Sequence, residues 1–309
     1  LLLVHGRLYS RPRALDKPAC AGQQERMNTN GVLSDTELKR AIREGWLAAP
    51  EAFLDDQLQP ASLDLRLGEI AYRLRASFLP GPSATVRERL DAELVMHTID
   101  LREGAVLETG CVYLVQVQEA LKLPHHIHGA ANPKSSTGRV DVFTRLITDG
   151  ATSFDHIPAG YHGPMWAGIS PCTFSVLVRT GTRLSQLRLR RGAPKPVREI
   201  DFTMDLSLEG PVGFRAKRHS GVIDLDRIGG YDPRDFWEPM EARQGRVVLD
   251  PGQFYIFASK ENVLIPPDEA AEMAPIRPEL GEFRAHYAGF FDPGFGVEPY
   301  QGRAVLEVR

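Results

Sequence analysis

The chain has 309 residues, 42% hydrophobic and 25% charged, which is enough for two ordinary globular domains and too apolar for a disordered chain. A formal net charge of -3 gives no general attraction to DNA, RNA or an anionic membrane, so any phosphate site has to be a local cluster. No apolar run approaches the roughly 20 residues that cross a bilayer as a helix, and Cys20, Cys111 and Cys172 are too few and too scattered for a disulfide framework, which points to a reducing, cytoplasmic setting.

The first residues, Leu1 to Arg7, put an apolar patch before a positive charge, the wrong order for an export signal. Met27 precedes Asn28-Thr29-Asn30-Gly31, so the natural start is read there and residues 1–26 are expected to lie outside the fold. Ser34-Asp35-Thr36-Glu37, followed by Leu38, Ala41, Ile42, Trp46 and Leu47, predicts a capped helix with one apolar face. From Ala61 onward the pattern turns to short alternating segments bounded by Gly, Pro and Asp. Leu63, Leu65 and Leu67 alternate with Asp64 and Arg66 and end at Gly68. Further strands are predicted at Val112 to Val117, Phe174 to Arg179, Leu184 to Leu189, Phe254 to Ala258 and Arg303 to Val308. Many short strands with one short N-terminal helix define a mainly β protein, a sandwich, jelly roll or barrel.

The segment Val106-Leu107-Glu108-Thr109-Gly110-Cys111-Val112-Tyr113-Leu114 recurs as Val248-Leu249-Asp250-Pro251-Gly252-Gln253-Phe254-Tyr255-Ile256, and the match runs without a gap, at constant offset, through Glu119/Glu261 to Pro124/Pro266. An upstream pair, Leu63 to Gly68 against Met204 to Gly210, lies at nearly that separation, and a downstream pair, Gly160 to Gly163 against Gly294 to Gly296, lies somewhat closer. A single match of this kind is ordinary turn chemistry. Three in the same order predict a tandem duplication: a first unit over 27–196, a linker around Arg190 to Arg198, and a second unit over 197–309. The counterpart of Arg183 to Leu189 in the second unit is expected beyond Arg309.

Two segments carry residue types with chemistry. Pro133-Lys134-Ser135-Ser136-Thr137-Gly138-Arg139 offers hydroxyls and backbone N–H groups as donors and, in Arg139, a planar fork that fits phosphate; composition alone favours a plain loop. Ala288-Gly289-Phe290-Phe291-Asp292-Pro293-Gly294-Phe295-Gly296 makes a tight turn before a strand on which Arg303, Val305, Glu307 and Arg309 share a face, and the pattern alone favours a solvated face with Glu307 beside two arginines.

Together these residues resemble the dCTP deaminase family, in its longer, duplicated variety. Gln59 to Gly68 is similar to the family's opening strand, and Lys134-Ser135-Ser136-Thr137-Gly138-Arg139 to its Arg-Ser-Ser-x-x-Arg phosphate motif. Asp292-Pro293-Gly294-Phe295 with Leu306-Glu307 resembles its Asp-Pro-Gly-Trp and Leu-Glu segment, and Gly181 to Leu187 its Gly-x-x-Ile-Gly-Gln-Leu strand. The resemblance implies tandem dUTPase-like β-barrel or jelly-roll units, with Glu307, Ser135 and Arg139 as the catalytic group and Lys134, Ser136, Ala288, Asp292, Gly294 and Gln186 as substrate-binding residues. It implies that the Ala288 carbonyl holds the amino group, that Mg²⁺ enters with the triphosphate, and that the protein is a homo-oligomer with sites shared between repeat units. There are departures. Gly168 stands where the first unit should carry the glutamate, and Arg277-Pro278-Glu279-Leu280-Gly281 stands where the second should carry the hydroxyls and arginine. Each unit keeps one half of a site.

Deaminating cytosine needs water at C4 and protons for the ring nitrogen and the leaving ammonia. Zinc deaminases read H-x-E with P-C-x-x-C; Pro171-Cys172-Thr173-Phe174 has no second cysteine, and no zinc is expected. The remaining solution is a desolvated carboxylate with a raised pKa, Glu307, serving as proton shuttle. His125-His126-Ile127-His128 has no histidine in its second-unit counterpart and reads as a turn, and the basic run Arg183 to Arg191, alternating with leucines, reads as a solvated strand face. Two other functions stay open: a dUTPase-type pyrophosphatase, and a nucleotide-binding regulator that has lost chemistry.

Overall fold

The computed structural model describes residues 3–10, 30–193, 198–274, 289–299 and 302–309, with the backbone alone for 3–10 and Ala274. The first unit opens with the helix Asp35–Arg43. Ser34 accepts from the Glu37 N–H while the Glu37 carboxylate accepts from the Ser34 N–H, so two amides that the helix itself cannot satisfy are paired. Leu38 and Ala41 seat the helix on the core, and Leu47 continues into a short strand.

The main sheet of the first unit has the order Val142–Thr148, His162–Pro171, Val112–Lys122, Ser62–Leu74, Arg183–Arg191, Ile127–Pro133, His156–Ile157. Asp155 closes it into a barrel: its N–H donates to the Leu146 carbonyl at 2.8 Å and its own carbonyl accepts from Ala131 at 2.9 Å, joining the two ends of the sheet. The mainly β, barrel-like architecture with one short N-terminal helix is the expected one.

The Ser62–Leu74 strand departs from its predicted alternation. Leu63 to Leu67 are all buried, because Asp64 and Arg66 have partners inside: Arg66 pairs with the buried Glu119 at 2.8 Å and donates to the Ala52 and Glu51 carbonyls. Nor does the strand end at Gly68. It runs on to Leu74 past a register shift, and a Cβ at Gly68 would lie 2.6 Å from the Gln116 carbonyl oxygen, so only glycine lets the two backbones approach there.

The second unit repeats this plan in two sheets. One has the order Trp237–Met240, Gly213–Ala216, Tyr255–Val263, Gly302–Val308; the other has Arg198–Thr203, Leu3–Ser10, Glu269–Ala274, Phe290–Phe291. The repeat is visible in single bonds. The Glu108 N–H donates to the Tyr113 hydroxyl at 2.9 Å, and at the matching place in the second unit Asp250 donates to Tyr255 at 2.7 Å. Glu119 accepts from the Arg66 N–H and Glu261 from the Thr203 N–H, which aligns Asp64 with Asp201; the upstream match therefore moves from Asp205 to Asp201. A repeated Leu-Asp-Leu pattern can be slid along a strand on sequence alone, whereas the carboxylate's bond fixes the register.

Leu3–Ser10 was expected to stay out of the fold and instead lies antiparallel between Arg198–Thr203 and Glu269–Ala274. In the first unit that slot belongs to Arg183–Arg191, where Gln186 is in register with Asp64 and Asn132. His5 is in register with Asp201 and Ala274, the equivalents of those two residues. Leu3–Ser10 thus satisfies the ladder groups of the facing edges of Arg198–Thr203 and Glu269–Ala274.

Candidate active site between the two units

A cavity of about 160 Å³ lies where the units meet. The first unit contributes Pro133, Lys134, Ser135 and Arg139; the second contributes Met273, Gly289, Phe290, Phe291, Asp292, Phe295, Arg303, Val305 and Glu307. An apolar protein cavity of this size can hold benzene, so there is room for a six-membered heterocycle. Both halves of the expected site are thus brought together by two units of one chain.

Ser135 follows the strand Ile127–Pro133 and begins the short helix Ser135–Gly138, with Thr137 and Gly138 buried beneath. Ser135 and Arg139 are exposed toward the cavity, and the Arg139 guanidinium makes no hydrogen bond or ion pair among the described residues. Lys134 also lines the cavity, but its ammonium is committed to Asp64, which is wholly buried and also accepts from Gln186 Nε2 at 3.1 Å. Gln186 therefore supports Lys134 through Asp64 and lies outside the cavity lining, as do Ser136 and Gly294. The φ of +83° at Gly294 shapes the turn in which the Phe295 N–H donates to the Asp292 carbonyl, and that turn presents Asp292 and Phe295 to the cavity. Ala288 and Arg277 to Gly281 lie outside the described residues.

Glu307 sits on Gly302–Val308 opposite Ile256. Arg303, Val305 and Glu307 share a face, as the alternation requires, but that face is not solvated at Glu307, which is 3% exposed. Neither neighbouring arginine serves it. Arg303 pairs with Asp205 at 2.7 Å, and Arg309 pairs with Asp141, which also accepts from the Thr173 hydroxyl. Burial pushes the Glu307 carboxyl up to about 8; Arg139 pulls it down and Asp141 pushes it further up. Gly168 faces Leu114 in the same ladder of the first unit, and Leu114 and Ile256 are themselves repeat partners, so Gly168 occupies the Glu307 position.

The basic strand Arg183–Arg191 is not a solvated face. Arg183 pairs with Asp56, Arg190 with Glu272 and Arg191 with Glu37, while Arg188 is wholly buried against the second unit. Sequence reading missed Arg188 and Asp64. The available signal was weak: an ionisable residue flanked by leucines, on a strand face whose neighbouring positions are polar. Its meaning depends on partners far away along the chain.

A hydroxyl-and-arginine loop of one β unit facing a buried glutamate of its duplicate defines a class of two-unit β enzymes with a heterocycle-sized pocket at the junction. Residues 29–193 match the family described as 2'-deoxycytidine 5'-triphosphate deaminase (DCD) N-terminal domain, and residues 183–309 its C-terminal domain. The chain belongs to the dCTP deaminase family. A crystal structure of 2'-deoxycytidine 5'-triphosphate deaminase from Agrobacterium tumefaciens superposes with a TM-score of 0.86 at 48% identity, covering 91% of this chain and 92% of that one. Among curated relatives, a dUMP-forming dCTP deaminase of Methanopyrus kandleri is 30% identical over 52% of this chain and 81% of its own length. A dCTP deaminase of Natronomonas pharaonis is 27% identical over 62% and 95%.

Proposed function

We propose that the chain converts dCTP and water to dUTP and ammonia, without zinc, using Glu307 as a buried proton shuttle. The observation that carries this reading is a carboxyl raised to about 8 in a heterocycle-sized pocket shared with Ser135 and Arg139. An ordinary glutamate, ionised from about pH 4.3 upward, is too weak a base to take a proton from water; burial corrects that.

The ionised Glu307 takes a proton from a water held by Ser135 as the water oxygen bonds to C4, and it passes that proton to N3. A second transfer carries the proton of the new C4 hydroxyl through Glu307 to the amino nitrogen. The C4–N bond then breaks, ammonia leaves, C4 becomes a carbonyl and Glu307 is ionised again. Arg139, its side chain unpaired among the described residues, faces the triphosphate and holds Glu307 toward its charged form. The substrate is the Mg²⁺ complex of the nucleotide, with the ion carried on the phosphates.

The test is product analysis by ion exchange after incubation with dCTP and Mg²⁺, with and without a zinc chelator. Ammonia and dUTP in both conditions support the reading. Loss of ammonia on chelation overturns zinc independence, dUMP with pyrophosphate adds phosphate-chain hydrolysis, and bound but unchanged dCTP leaves a regulator.

A further inference from the structure

We propose that Arg188 is a positioning residue for this pocket, holding the second unit's wall in place from within the first unit; the proposal rests on the dCTP reading above. Arg188 lies on Arg183–Arg191, is 0% exposed, and crosses the junction. Its Nε donates to the Ala61 carbonyl at 3.3 Å in its own unit, and its two terminal nitrogens donate to Ala271 at 2.8 Å and Phe291 at 3.3 Å in the other. The guanidinium lies 3.9 Å from the Phe290 ring centroid, and a terminal nitrogen is 3.6 Å from the Asp292 carboxylate. Phe290, Phe291 and Asp292 are three consecutive residues of the cavity wall.

A planar fork can meet two carbonyls, a ring and a carboxylate at once; an ammonium cannot. Burying a guanidinium is costly unless every donor is used, so its position is tightly set, and the wall it holds is set with it. Arg190, two residues on and on the same face of the strand, is a built-in control. It also makes an ion pair across the junction, at 2.5 Å, but its partner Glu272 does not line the cavity.

The experiment is steady-state kinetics with dCTP on the full chain, comparing wild type, Arg188→Lys, Arg190→Lys and Glu307→Gln, with a thermal midpoint for each. Arg188→Lys is expected to raise KM about tenfold or more, the scale of a wall displaced by a fraction of an ångström, while the pH dependence of kcat, set by Glu307, keeps its midpoint. Arg190→Lys is expected to lower the thermal midpoint and leave KM within about twofold. If lysine leaves the chain unfolded, Arg188→Met keeps the length, removes the buried charge and is read in the same way. A wild-type KM in the folded Arg188 variant, or equal KM shifts in the Arg188 and Arg190 variants, overturns the positioning role. No turnover by wild type overturns the dCTP reading instead.

Discussion

The same strand position is Gly168 in the first unit and Glu307 in the second, and the surroundings have diverged to match. In the first unit the neighbouring Trp166 is 1% exposed and packs with Leu74, Val86, Leu114 and Ile147 under Phe78, Leu79 and Phe154, closing that face of the sheet. Its repeat counterpart, Val305, lines the open cavity. The Met273 N–H donates to the Gly289 carbonyl at the cavity as the matching Ala131 N–H donates to that of Asp155, so where the second unit has Gly289 the first has Asp155, ion-paired to Arg145 at 2.5 Å. One copy has been turned over to packing; the other keeps a buried carboxyl that accepts no hydrogen bond from the described residues, which is costly in a fold and useful in a reaction.

Removing that carboxyl should give the largest effect. Glu307→Gln keeps the shape and deletes the proton transfer, so kcat for ammonia release should fall by about 10³-fold or more while dCTP still binds; retained turnover would remove Glu307 from the mechanism. Arg139→Ala should cost about 10²-fold in kcat/KM, chiefly through KM, because on the proposed reading it takes a cation from the triphosphate. An unchanged KM there would mean that the phosphates lie elsewhere.

Putting the glutamate back into the first unit should fail to restore activity. A Cβ at Gly168 meets only Ile147 Cδ1 at 3.6 Å and the Arg145 carbonyl at 3.7 Å, so the backbone accepts a side chain. The carboxylate would then face the Trp166 cluster, and in the sequence the second unit offers Arg277 to Gly281 in place of two hydroxyls and an arginine. Gly168→Glu in a Glu307→Gln background is therefore expected to stay inactive and to lower the thermal midpoint by several degrees, as an unpaired buried charge does. Ammonia release by the double variant would show that the first unit lost one residue and no more.

Much of this comparison was legible in the sequence. The repeat survives at its turns because Gly, Pro and acidic residues there meet backbone needs that packing cannot change, which is why Val106 to Ile256 could be aligned unaided. Glu307 and the Ser135–Arg139 loop were singled out by their resemblance to the dCTP deaminase family, since pattern alone favoured a solvated face and a plain loop, and the repeat then pointed to Gly168. What the sequence concealed depends on long-range partners. Asp64 looks like the polar half of an alternating strand until Lys134 and Gln186 meet it, and Arg188 looks solvated until a second unit covers it. The strand Leu3–Ser10 carries a pairing register that no local pattern encodes, since ladder hydrogen bonds run between backbones.

The smallest expected effect is also the most direct check on the cost of keeping Glu307. Its carboxyl ionises near 4.5 in the unfolded chain and at about 8 in the fold. Between those values the folded protein binds more protons than the unfolded one, so stability falls as pH rises, and the loss is complete only above about pH 8. Glutamine carries no such proton. The thermal midpoint of Glu307→Gln should therefore approach that of wild type near pH 5 and exceed it by several degrees at pH 8 to 9, where wild type bears the full cost of a buried charge. The same ionisation should make wild-type kcat/KM, which reports the free enzyme, rise with pH toward a midpoint near 8. A midpoint difference that stays constant from pH 5 to 9 would mean that Glu307 titrates as an ordinary surface carboxylate, and the contrast with Gly168 would then be one of packing alone.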